Sequence, residues 1–383
     1  GVSGEVDRLR LARFLHQPRQ GLDDGRETVF RGVRQLLPGE VLTLDVATLG
    51  WSVRRYWDPE PNDEFRRLGA EDAAHRFREL LTDSVRIRMR SDVPQGSCLS
   101  GGLDSTAIVC LAREAMDRDT PYHVFTGRFP GTRADEWPYA NLVIRDTNAT
   151  SHVVEPDVDG FLAELPRFVW HNELPVGSAS QYAQWCVFRL AAETGITVLL
   201  DGQGADELLG GYEQSFQIYL TALRAAGESA LADREEREIR ARYPLALPSG
   251  SARLHHHLPA GLRRLLAGWS GRGSDPLFGL ERGLAADVAA ANRSGADGRF
   301  GGRFTGLAAA LHAESFHTHL PTLLRYGDRN SMAHSREVRL PFCDHRLAEL
   351  VLSLPPGHLM GGAQTKRLLR GAFRNDLPAQ IRE

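Results

Sequence analysis

Ser100-Gly101-Gly102-Leu103-Asp104-Ser105 lies between a short apolar approach, Val93 to Leu99, and the run Thr106-Ala107-Ile108-Val109-Cys110-Leu111-Ala112. In that setting the six residues read as the glycine turn of a strand, turn and helix. The first N–H groups of such a helix have no internal partners, glycine lets the backbone approach an anion, and the helix dipole favours negative charge there. The turn is therefore a phosphate cradle. Asp104 would repel a polyphosphate unless a divalent cation such as Mg2+ lay between them, so the stretch predicts a metal-nucleotide site. It is not the common NTPase loop, because no Gly-Lys-Ser/Thr follows four spacer residues.

Working outward, Tyr122 to Thr126, Thr150 to Val154 and Thr197 to Leu200 read as three further strands. Helical patterns at Asp135 to Asp146, Phe161 to Trp170 and Tyr182 to Ala192 separate them. Strands alternating with helices predict an α/β fold whose parallel sheet is covered on both faces. In such sheets the ligand sits beyond the carboxyl ends of the strands. Leu99, Thr126 and Leu200 lead into that edge, so Ser100 to Ser105, Gly127 and Asp201 to Glu207 are expected on one rim. Asp104 and Asp206 would there complete a Mg2+ shell with phosphate oxygens and waters.

Before the turn, Asp63 to Ala73 reads as a polar linker. Ala74 to Arg90 reads as a covering helix with Phe77, Leu80, Leu81, Val85 and Ile87 on its apolar face. Residues 1 to about 58 alternate as two or three strands. Beyond the nucleotide segments, 213–302 predicts several helices with mobile loops, and His317 to Gly327 a further helix. Asp328 to His345 is dense in charge. Gly361 to Lys366 opens a final helix.

The 383 residues, 42% of them hydrophobic, suffice for one large domain or two. A net charge of -3 argues against the basic footprint that nucleic acid requires. No apolar run approaches the length of a membrane span and no signal peptide opens the chain, so cytoplasm is the expected compartment. Cys98, Cys110, Cys186 and Cys343 form no C-x-x-C pair and read as small buried apolar residues. His255-His256-His257, in an arginine-rich segment, reads as exposed rather than metal-binding. The 46 basic residues are 45 Arg and one Lys, Lys366. Arg and Lys are not interchangeable where a compact charge is needed, which marks Lys366 for function.

Together with Asp201-Gly202-Gln203-Gly204-Ala205-Asp206-Glu207, Asp328 to Ala333 and Arg339 to His345, the Ser100 turn resembles the synthetase domain of the glutamine-dependent asparagine synthetases. The resemblance runs from about Val29 to the last residue. It implies an adenine-nucleotide α-hydrolase-like (PP-loop) domain over 59–383 with helical additions. Residues 1–58 would be the tail of an amino-terminal β-rich glutaminase domain, and the chain looks truncated at both ends. Because no Cys precedes Cys98, glutamine hydrolysis by the family's amino-terminal cysteine is not expected of this polypeptide. The implied reaction is ATP-dependent amide formation through an acyl-adenylate, with aspartate and glutamine-derived ammonia as substrates. ATP would contact Leu99, Ser100, Gly101, Gly102, Leu103, Asp104, Ser105, Thr126, Asp201 and Gly202, with Mg2+ on Asp104 and Asp206. Lys366 would sit beside the α-phosphate and the tetrahedral intermediate. A homodimer is left open.

Gln203 departs from the family, which carries glutamate or tyrosine there, and Gln takes no proton at neutral pH. Glu337 is then either a substitute base or simply a partner of Arg339 or Arg336. Asp135-Glu136 either touches metal or ATP or supplies charge at a helix start. The departure keeps a lasso-peptide macrolactam cyclase or β-lactam synthetase, acting on a peptide or other internal amine, as the alternative. A non-catalytic ATP-binding subunit is a third reading, opposed by Asp104, Asp206 and Lys366 together.

Overall fold

Three short runs with buried centres and two more exposed edge runs assemble a parallel sheet, and the computed structural model shows one of five strands. It describes residues 4–16, 22–117, 119–247, 281, 283–284, 286–288 and 303–382. The strands are β3 (Gln95–Cys98), β4 (His123–Gly127), β5 (Thr150–Val154), β6 (Val198–Leu200) and β7 (Glu337–Arg339), in the order β5-β4-β3-β6-β7. All four pairings are parallel. All three residues of β6 are buried, as expected of a central strand with both faces covered.

Helices fill the connections. An amino-terminal α1 (Arg8–His16) precedes the antiparallel hairpin of β1 (Glu40–Leu44) and β2 (Trp51–Arg55), then α2 (Asp63–Arg66) and α3 (Ala70–Arg88). Helix α4 (Leu103–Glu114) follows β3, α5 (Trp137–Thr147) follows β4, and α6 (Val158–Asn172) with α7 (Ser180–Glu193) follow β5. After β6 come α8 (Ala205–Leu209), α9 (Ser215–Ala225) and α10 (Ser229–Arg242). The remainder holds α11 (Gly306–Phe316), α12 (His319–Met332), α13 (His345–Ser353), α14 (Pro356–Leu359), α15 (Arg367–Ala372) and α16 (Ala379–Arg382).

Several expectations need correction. The stretch read as a linker is largely helical, because the Asn62 side chain accepts from the Glu64 and Phe65 amides and starts α2. Helix α3 then begins at Ala70. Its apolar face keeps Phe77, Leu80, Leu81 and Val85 buried, but Ile87 is 40% exposed. The amino-terminal segment contains α1 as well as two strands. The charge-dense segment splits into the last turn of α12 and the edge strand β7. Of the cysteines only Cys186 is buried; Cys98 and Cys110 are half-buried and Cys343 is exposed. The three adjacent histidines lie outside the described residues, as do most of 248–302.

Several polar contacts tie the amino-terminal segment to the body, Arg303 with Asp58 at 3.1 Å among them. Arg325 Nε on α12 donates to both oxygens of Asp23 at 3.0 Å. Trp57 Nε1 donates to Glu349 on α13 at 2.7 Å. The main core joins α3, α4, α9, α11 and α13 through Phe77, Ile108, Phe216, Leu311 and Leu350. No helix among the described residues is long and apolar enough to cross a membrane.

Candidate active site

Three loops converge at the carboxyl ends of β3, β4 and β6, and each is pinned by main-chain bonds. Leu99 N donates to Phe125 O at 2.9 Å, and Thr126 Oγ1 donates to Leu99 O at 2.8 Å. Asp201 N donates to Arg339 O at 3.0 Å, so the unforeseen strand β7 helps hold the β6 loop.

In the first loop Gly101 has φ of +99°, and a Cβ there would come within 2.7 Å of Ala140 N and Glu136 O. Only glycine meets both conditions. Ser105 Oγ accepts from Ser100 N at 3.2 Å, folding the turn against α4. Among the described residues no side chain caps the start of α4, which leaves the anion-seeking helix terminus that the sequence predicts. Gly202, from the third loop, lies over the main chain of Asp104 and Ser105.

Lys366 closes the site from the far end of the chain. It is 9% exposed, has φ of +52° and immediately precedes α15. Its Nζ lies 2.5 Å from Asp104 Oδ2 and 2.6 Å from Asp206 Oδ1. Burial pushes the Asp104 carboxyl up to about 6, against the attraction of Lys366. Burial would lower the Lys366 ammonium, but Asp104 and Asp206 outweigh it and hold its pKa above the ordinary value. Asp104 Oδ1 is buried without a hydrogen-bond partner among the described residues, a cost that a further cation removes. Two converging carboxylates, one with a spare buried oxygen, fit a hard divalent ion such as Mg2+.

Asp201 accepts from Gly202 N at 2.6 Å, and burial pushes its carboxyl up to about 6. The Asp135-Glu136 pair divides. Asp135 takes Arg128 at 3.0 Å, which holds its carboxyl below the usual range. Glu136 is raised by burial, bonds Ser100, and lies within the field of Lys366 and Asp206. Glu136, the N-cap residue of α5, turns toward the Ser100 loop, and Asp135 turns toward Arg128.

Gln203 places its side chain against Gly327 of α12. Glu337 is not brought to the cluster. It opens β7 opposite Val198, at the end of the sheet away from the rim, and its carboxylate pairs with Arg339 Nε at 2.7 Å. The second of the two roles open to it in the sequence is therefore the one observed.

Gly211 escaped the sequence reading, and Glu207 was placed on the rim there without a role of its own. At Gly211 a Cβ would lie 1.7 Å from Asp206 Oδ1 and 2.3 Å from Lys366 Cε. The Gly210-Gly211 pair closely following Asp206 was the available signal. Glu207, 1% exposed, accepts a hydrogen bond from the Tyr212 hydroxyl, and burial pushes its carboxyl up to about 7. It is flanked by Asp206 on one side and by Leu208 and Leu209 on the other.

Comparison with known proteins gives a consistent result. The asparagine synthase family matches residues 76–383. A putative glutamine-hydrolysing asparagine synthetase of Mycobacterium tuberculosis is 31% identical over 379 residues, covering 93% of this chain and 54% of that protein. Asparagine synthetase 3 of Bacillus subtilis is 27% identical over 399 residues, covering 99% and 57%. The amidase chyE of Penicillium rubens is 27% identical over 367 residues, covering 86% and 53%. The chain spans about half the length of the curated relatives it matches.

Proposed function

Because the chain belongs to the asparagine synthase family, we propose that it is an ATP-dependent ligase that joins a carboxylate to an amine as an amide. Its reaction would be asparagine synthesis from aspartate with glutamine-derived ammonia. The observation that carries this reading is the buried Lys366 ammonium held between Asp104 and Asp206 at the mouth of the glycine turn. A plain nucleotide-binding module has no need of a buried cation there.

ATP would seat its phosphates on Ser100 to Ser105 at the start of α4. The Thr126 hydroxyl is already committed to Leu99 O, so adenine and ribose would be met by the main chain at Leu99, Thr126, Asp201 and Gly202. Asp104 and Asp206 would hold Mg2+, which when bound neutralises pyrophosphate. The substrate carboxylate oxygen attacks the α-phosphorus and the bond to pyrophosphate breaks, leaving an acyl-adenylate. The amine nitrogen then attacks the acyl carbon and AMP departs. Negative charge develops first on phosphorus oxygens and then on the carbonyl oxygen, and one preorganised ammonium serves both steps. Ammonia is itself a nucleophile, so Gln203 is compatible with the second step without a side-chain base. Residues 1–58 would be the tail of the ammonia-supplying domain. The setting is cytoplasmic, with small-molecule substrates, neither nucleic acid nor membrane as partner, and a homodimer as the assembly to test.

Gln203 favours one further reading, a natural-product amide synthetase such as a lasso-peptide macrolactam cyclase or β-lactam synthetase. A tethered amine relaxes the demand for a base at that position. Mg·ATP-dependent pyrophosphate release in the presence of ammonia, with and without aspartate, decides between them. Release that requires aspartate and yields asparagine supports the first reading. ATP binding that ignores aspartate removes it in favour of the second.

A further inference from the structure

One turn beyond Lys366, the surface changes character. Arg367, Arg370, Arg374 and Arg382, with Gln364 and Gly371, line an open cleft of about 390 Å3. Among the described residues, the lining contains no carboxylate. The larger cavity between the amino-terminal segment and α11 and α12 is also rich in arginine, but there Arg10 meets Asp24, Arg325 meets Asp23 and Arg303 meets Asp58.

The cleft arginines satisfy themselves differently. Arg367 donates to Gly357 O at 3.1 Å and Arg370 Nε to Thr365 O at 2.9 Å. Arg370 also donates to Arg382 O, and Arg382 to Arg374 O. These bonds fix guanidinium planes on main-chain carbonyls, and among the described residues no carboxylate forms an ion pair with any of the four. Four like charges around so small a volume repel one another unless an anion joins them. Planar guanidinium forks match phosphate oxygens in pairs.

Arg370 links the cleft to the site along the chain. Arg370 N donates to Lys366 O at 3.0 Å, placing the two cations one turn apart, and Arg370 contributes to the field at Asp104.

We propose that this cleft binds a condensed-phosphate anion of the size of inorganic pyrophosphate, handed along α15 from Lys366. The source of the anion rests on the ligase reading above; the binding rests only on the four arginines. Free oligophosphate in solution would be recognised by the same chemistry.

The test is calorimetric titration of pyrophosphate, and of sulfate at matched ionic strength, into three forms of this chain. These are the wild type, Lys366→Ala, and the doubly substituted Arg367→Gln/Arg374→Gln, whose two positions are exposed. Wild type and Lys366→Ala should both bind pyrophosphate, and the double variant about tenfold more weakly, as expected on losing charge-assisted contacts. Its thermal midpoint should be unchanged or higher, since like-charge repulsion is relieved; should it unfold, Arg374→Gln alone serves. Equal pyrophosphate affinity in the wild type and the folded double variant, or sulfate binding as tightly as pyrophosphate, would overturn the proposal. Variant-sensitive binding in a chain that makes no AMP would remove the ligase reading, assign the anion to solution, and leave the cleft standing.

Discussion

Gly211 donates its amide to the Asp206 carbonyl at 2.9 Å, and the turn so closed leaves its Cα pressed against the Asp206 carboxylate. Any side chain at 211 must displace either Asp206 or Lys366. Gly211→Ala should lower pyrophosphate release at least about tenfold and cost about 1–3 kcal/mol of stability, the usual scale of overpacking. Turnover and urea denaturation measured together check this. Wild-type turnover in the variant would mean that the carboxylate position does not matter.

Lys366→Ala should slow amide formation by roughly 100-fold or more, the scale of one lost preorganised charge. Lys366→Arg should not restore it, because a planar fork cannot replace a compact ammonium between two carboxylates. Single-turnover rates with Mg·ATP distinguish the chemical step from binding. Recovery in the arginine variant would reduce Lys366 to a generic positive charge.

Asp104 gives stability and activity opposite trends with pH. Its folded pKa, about 6, lies above the ordinary 3.8, so the folded chain binds the extra proton between those values. Its contribution to stability therefore falls as pH rises through that window and stays low above it. Activity needs the ionised carboxylate and should fall as pH drops below about 6. Subtracting the Asp104→Asn stability profile from that of the wild type isolates the slope; parallel profiles would contradict the assignment.

Asp344, 6% exposed, starts α13. Burial alone would raise its carboxyl, but hydrogen bonds from the Arg346 side chain and amide, with the charge of Arg88, hold it well below the ordinary range. Its stabilisation is present above the ordinary carboxylate pKa and lost as pH falls toward the depressed value. Asp344→Ala should cost about 3–5 kcal/mol at pH 7, as for breaking a buried pair, and the difference should shrink in strong acid. A pH-independent difference would assign the effect to packing.

Glu337→Gln should leave the pH profile of turnover unchanged, because the carboxylate faces Arg339 at the end of the sheet away from Lys366. Loss of one limb of that profile would reinstate Glu337 as a base.

The parts of this site that could be read in the sequence are those whose cause is local. The Ser100 turn declares itself because its glycines and flanking apolar runs act within a dozen residues. Lys366 stood out through its rarity among 46 basic residues. What escaped depends on distant partners. Glu337-Val338-Arg339 is too short and too charged to read as a strand, and becomes one by pairing with Val198 to Leu200. Asn62 revealed no helix until its side chain was seen to cap one. Gly211 looks like an ordinary turn glycine until Lys366, far along the chain, is packed against it. Cys343 follows the buried Phe342 yet emerges at the surface, a change of side that residue type does not announce.

The ion pair between Asp104 and Lys366 spans 262 positions, and that span orders events during synthesis. At about 5–20 residues per second, roughly 13–50 s separate the emergence of the two partners from the ribosome. For the last 160 positions of that span, once Asp206 has followed Asp104 out, the nascent chain carries its phosphate turn and both acidic residues but has no ammonium to set between them. Protonation, a captured cation or an unformed loop must cover the gap. Translation arrested before the final segment would therefore yield a polypeptide with most of a nucleotide site and none of its chemistry.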